Sequence, residues 1–212
     1  MICMAKKKGT QEEAPLKLFY IFYSKERMGN WIRTLEELSF SGDPSSEDPP
    51  EGLLALSRFA EDITIEVLKI VRLFQNGRFT GEEALQRLRE VEVIVMSEVR
   101  DGEIGEVLES LQLTLLVLFS ACRKFLDGAY GKDVKALVHR AREFPAGEME
   151  ETLEAAGEIG AAVIGGAPCC EKFMAEDPGK STLLDDWLVE IETMRDAMRS
   201  LKDFDESTGE EE

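Results

Sequence analysis

The sequence predicts an all-α fold, a single-domain bundle of six or seven helices with disordered termini. Three observations carry that expectation. Apolar side chains recur at i, i+3 and i+4 through most of the chain. Helix-capping and turn-forming residues separate the periodic stretches. Strand-like runs are too few to build a sheet. The expected division is a disordered N-terminal tail at 1–17, a helical domain at 18–203 with an acidic Pro/Ser loop at 41–50, and a disordered acidic tail at 204–212.

The elements follow in order. After the lysine-rich start, the aromatic run "LKLFYIFY" reads as a short strand or a leader packed on the core. Ser24 offers a hydroxyl to cap the first helix, and Tyr23 and Met28 have the spacing of a hydrophobic staple. That helix carries Trp31, Ile32, Leu35 and Leu38. The second starts at Pro50 or Glu51. Its stripe of Leu56, Phe59, Ile63, Val67, Ile70 and Phe74 has further apolar residues off it, so burial on more than one side is expected. Gly77 can end it in the left-handed conformation. Thr80 and Glu83 have capping-box spacing for a third helix, and "VEVIVMSEV" continues it despite its β-propensity.

A fourth helix is expected from about Gly105 to Leu126, stopped at Gly128, and a fifth from about Lys132 to Phe144, before Pro145. The sixth runs from near Glu148 to Ile164. Ala156, Gly157, Gly160 and Ala161 give it a small-residue face, suited to a neighbouring helix in the same chain or, in a homo-oligomer, to a second copy. The last runs from about Ser181, as cap, to Leu201 on the stripe Leu184, Trp187, Leu188, Ile191, Met194 and Met198.

Charge narrows the partners. The 212 residues include 43 acidic and 25 basic side chains, a net charge of −18. Such a surface repels phosphate backbones and argues against direct nucleic-acid binding; it suits solvation or a basic protein partner. The most apolar run, Leu111 to Cys122, contains Gln112, Thr114 and Ser120 and is shorter than a membrane span, so it reads as a core helix. Lys6, Lys7 and Lys8 lead into polar "GTQEEAP" with no apolar signal region, and Met4 is an equally good start. The expectation is a cytoplasmic chain with no membrane contact.

Several motifs resemble catalytic or metal sites and fall short of them. "GGAPCCEKF" places Cys169 and Cys170 side by side, but a structural zinc site needs four Cys or His ligands. The remaining candidates are Cys3 in the tail, Cys122 in the most apolar helix, and His139, without Cys-x-x-Cys spacing. Gly179, Lys180 and Ser181 copy the end of a phosphate-binding loop, yet Met174 stands where its first glycine belongs. His139, beside Arg140, reads as an exposed helix residue, and a lone histidine excludes a di-metal carboxylate bundle. The pairs Glu82–Glu83 and Asp185–Asp186 suit helix beginnings. No cofactor, metal or catalytic residue is therefore assigned.

"FYSKERMGNWI", residues 22–32, resembles the N-terminal pattern of an archaeal family, domain of unknown function 2150, at Phe22, Tyr23, Ser24, Glu26, Arg27, Asn30 and Trp31. Further likeness lies in "IEVLKIVRLFQNGRFTGEEALQRL", "VIVMSEV", "SLQLTLLVLFSACRKFL" and "LLDDWLVEIETMRDAM", together spanning roughly residues 20–200. The resemblance implies an archaeal, helical, cytoplasmic protein and no particular activity. Glu26, Arg27 and Asn30 can share one helix face and form the first candidate polar cluster. The leading functional expectation is a non-enzymatic module that binds another protein, with a basic partner favoured by charge. The alternative is an enzyme or small-ligand protein with a carboxylate-lined site inside the bundle. A weaker third reading has the chain join a nucleoprotein through its basic proteins, without touching phosphate.

Overall fold

The computed structural model describes residues 22–41, 48–97, 102–145, 148–168, 182–202 and 204. Among them are seven helices and no strand: α1 (Lys25–Glu36), α2 (Glu51–Gln75), α3 (Gly81–Val95), α4 (Glu103–Asp127), α5 (Val134–Ala141), α6 (Met149–Ile164) and α7 (Leu183–Ser200). The all-α expectation holds, and each helix follows from local chemistry.

Ser24 caps α1 by accepting a hydrogen bond from the Arg27 amide at 3.1 Å, and Tyr23 and Met28 are both buried. Thr80 and Glu83 complete the reciprocal capping box at α3. Gly77 and Gly128 take left-handed backbone, φ 69° and 67°, just past α2 and α4. Two boundaries differ from the sequence reading. α5 is shorter than Lys132–Phe144, because Asp133 caps it by accepting from the Ala136 amide and the chain turns after Ala141. α7 is capped by Thr182 rather than Ser181: the Thr182 side chain and Asp185 form a capping box. Ser181 itself lies outside the described residues, as do Cys3, Cys169, Cys170, Gly179 and Lys180.

α4 occupies the centre. Leu115, Val117, Leu118, Phe119, Ala121 and Cys122 are fully buried, and α2, α3, α6 and α7 all pack on it. By length and composition α4 could cross a membrane; half of its apolar window is buried against those neighbours, and Leu113 is exposed. Each fully buried aliphatic or aromatic side chain contributes about 1.5–3 kcal/mol.

The small-residue face of α6 is used within the chain. A Cβ on Gly160 would lie 2.6 Å from the Ala121 Cβ, and one on Gly157 would lie 2.2 Å from the Ser120 Oγ. The glycines let α4 and α6 approach more closely than larger residues permit.

Hydrogen bonds fix the helix directions. Arg27 and Trp31 of α1 reach Glu66 and Asp62 of α2 in reverse order, so that pair is antiparallel. Thr64 bonds Glu190 and Arg72 bonds the Met198 carbonyl, both across a separation of 126 residues. Equal steps along both helices mean that α2 and α7 run parallel. Trp187, fully buried, anchors α7 on α4 by donating its indole N–H to the Leu113 carbonyl at 3.0 Å.

Candidate functional site

The three residues singled out from the sequence do not act together. Glu26 and Asn30 are exposed, and Asn30 accepts a hydrogen bond from Arg33 at 2.7 Å. Arg27 alone turns onto α2. Its Nε donates to the Asp62 carboxylate at 3.0 Å, a second nitrogen also bonds Asp62, and a third reaches Glu66 at 3.1 Å. Trp31 donates its indole N–H to the same Asp62 at 2.8 Å and stacks on Phe59 with centroids 5.3 Å apart. The Arg27 guanidinium lies 5.2 Å from the centre of the Tyr23 ring, and Lys69 donates to Glu66 at 2.9 Å.

This network is a clasp between α1 and α2. Burial alone would lower the Arg27 pKa, but the Asp62 and Glu66 carboxylates outweigh it and hold the guanidinium more firmly charged. Burial, with Asp62 next, pushes the Tyr23 phenol well above its ordinary range. Charges satisfied by one another hold helices together and leave little with which to bind or transform a ligand.

The more open chemistry lies between the parallel helices α2 and α7. A groove of about 470 Å³ runs there, walled by the small side chains Ser57, Ala60, Thr193, Ala197 and Ser200. Three carboxylate residues line it, Glu61, Glu190 and Asp196, and among the described residues no Lys or Arg does. Glu190 is the unusual member. It is 9% exposed, beside fully buried Thr64, whose hydroxyl donates to its Oε1 at 3.3 Å. Its other oxygen has no hydrogen-bond partner among the described residues. Burial pushes the carboxyl up to about 7, against which the Thr64 hydroxyl acts only weakly. Asp196 differs: the Arg195 guanidinium bonds it at 2.9 Å and lowers its pKa.

Sequence reasoning assigned Glu190 no role. The available signal was its position between Trp187 and Met194, three residues after one core residue and four before another. Asp62 and Glu66 were signalled only as acids within the apolar run of α2.

The other candidates stay quiet. Cys122 is fully buried, and burial pushes its thiol up to about 12, which suppresses the reactive thiolate. The His139 side chain is 78% exposed, with its Nδ1 3.4 Å from Glu143. Asp185 sits at the start of α7, where burial raises its pKa but Arg142 at 2.6 Å and both donors of Thr182 outweigh that, bringing the carboxyl to about 2. No three His, Cys, Asp or Glu side chains converge at metal-binding distance among the described residues.

These observations define a class: a helical bundle with an apolar core, internally satisfied ion clasps and solvent-open grooves. The chain belongs to the archaeal family domain of unknown function 2150, described as an uncharacterized protein conserved in archaea, whose family model matches residues 21–207. No curated protein and no solved structure matches it.

Proposed function

We propose that the protein is a non-enzymatic interaction module whose groove between α2 and α7 docks a basic segment of a partner protein. The observation that carries the reading is the groove's chemistry. Its walls are small enough to admit another chain, and among the described residues three carboxylate residues line it without an accompanying lysine or arginine, while Glu190 keeps one oxygen unbonded in the floor. Leu54 and Val189, both exposed, stand one helical turn before Ser57 and Thr193 and offer apolar contact beside the acids. A partner helix with lysines or arginines and an apolar flank complements both features. An enzyme reading draws on the same Glu190, whose carboxyl near neutrality suits acid–base chemistry. Thr64 is its one polar contact among the described residues, so the groove favours docking over turnover.

Affinity capture from archaeal cytosol tests this with three baits: the natural chain, Glu61→Lys with Thr193→Lys in the groove, and Glu151→Lys on α6. The expected result is a basic protein retained at low salt by the first and third baits, weakened by raised salt and lost from the groove variant. Identical captures from all three baits would sink the proposal.

A further inference from the structure

We propose that a second groove, where the C-terminal turns of α6 and α7 meet the end of α2, binds a small organic phosphate ester. The groove measures about 440 Å³. In a chain with a net charge of −18, its lining among the described residues carries Arg72, Arg195, Arg199 and Lys202 and no carboxylate. The local sign is thus opposite to that of the whole.

The pairing of these cations shows which are available. Arg195 is held by Glu192 at 2.7 Å and by Asp196 at 2.9 Å. Arg199 has only a 3.5 Å approach to Asp196, with its side chain 72% exposed. Lys202 is exposed and makes no ion pair among the described residues. Arg72 is the informative one. Its two terminal nitrogens donate to neutral oxygens, the Gln75 amide at 3.0 Å and the Met198 carbonyl at 2.8 Å. Its Nε is buried and has no hydrogen-bond partner among the described residues. A half-buried guanidinium without a carboxylate is costly, as is each buried N–H left unbonded, about 1–3 kcal/mol. An anion in the groove would supply the missing counter-charge.

Helix capping does not account for the cluster. The last carbonyls of α6 are already used: Ala161, Ala162 and Val163 accept from the amides of Gly165, Ala167 and Gly166 at 2.9–3.0 Å. Gly166, at φ 96°, makes that closing turn possible. At α7 one arginine, Arg72, serves one carbonyl; Arg199 and Lys202 suit the negative end of the α7 dipole but bond none of its carbonyls among the described residues.

The ligand class follows from charge and shape. Two or three incompletely paired cations match a dianion better than a monoanion, and arginine forks fit phosphate oxygens. Val163, Ile164 and Met198 supply an apolar wall beside the cations. A phosphate head with a small apolar body uses both parts of the groove.

Isothermal titration calorimetry on the full chain provides the test, with phenyl phosphate, inorganic phosphate and benzoate as probes. Phenyl phosphate should bind saturably, one per chain, at least about tenfold tighter than either of the others. Arg199→Gln with Lys202→Gln, both at exposed positions, should weaken it at least about tenfold with an unchanged circular dichroism spectrum. Arg89→Gln with Lys135→Gln, which removes equal charge elsewhere, should leave it unaltered. Absence of saturable binding, or equal weakening by the two variants, overturns the site. Inorganic phosphate or benzoate binding as tightly as phenyl phosphate overturns the ester assignment. The two grooves share no lining residue, so its failure leaves the docking proposal standing.

Discussion

Replacing Glu190 by glutamine should stabilise the protein at alkaline pH and scarcely change it in acid. The native carboxyl at about 7, against an ordinary 4.5, corresponds to about 3 kcal/mol of preference for the neutral form. Between those two values the folded chain holds a proton that the unfolded chain releases. Stability therefore falls as pH rises from about 4.5 to about 7 and levels off above. Glutamine keeps the shape and the acceptor for Thr64 but carries no charge to bury. At pH 8 Glu190→Gln should gain about 3 kcal/mol, which for a chain of this length is a rise of about 6–12 °C in Tm. At pH 4.5 the gap between the two proteins should shrink below about 0.5 kcal/mol. Thermal melts followed by circular dichroism at both pH values provide the comparison, and any constant offset from the amide cancels in the difference. A gap that does not depend on pH, or one larger in acid, would refute the argument that Glu190 is strained by its burial.

Other perturbations follow from the same contacts. Gly160→Ala should cost about 1–3 kcal/mol by forcing α6 off α4, and adding Ala121→Gly should restore much of it; urea melts of the single and double variants decide this. Asp185→Asn should cost about 2 kcal/mol at pH 7, since the carboxyl at about 2 lies below its ordinary 3.8; the difference from the natural chain should fade as pH drops through that window. Arg27→Leu leaves Asp62 and Glu66 without their shared cation and should lose about 2–4 kcal/mol in urea melts, more than an exposed pair would. In the folded protein Cys122 should resist iodoacetamide at pH 8 and react only on unfolding, read by mass spectrometry of the peptide that contains it.

The helices were legible because their causes are local. Ser24, Thr80 and Gly128 act within a few residues of themselves, and the apolar stripe of α7 can be read along one strand of text. The small face of α6 was legible too, although the sequence did not say that Ser120 and Ala121 would meet it. The clasp was only half visible. Arg27 stood out, but its partners Asp62 and Glu66 lie 35 and 39 residues away, and no spacing rule links them. Glu26 and Asn30 joined it in the reading because helical periodicity says which residues share a face and not which face meets a neighbour. Glu190 and the cations around Arg72 were illegible for a stronger reason. Their character comes from α2 and α7 lying parallel, a relation between segments 126 residues apart. The end of α5 was misjudged because a polar helix surface reads much like a polar turn.

The parallel seating of α7 beside α2 also bears on how the chain is made. During synthesis α2 leaves the ribosome more than a hundred residues ahead of the helix that shields its flank. At about 5–20 residues per second that interval is about 6–25 seconds. Throughout it the flank of α2 that meets α7, with Thr64 fully buried in the finished molecule, lacks its cover. A nascent chain in that condition is a natural client for a holding chaperone, and messages truncated before α7 should yield insoluble product.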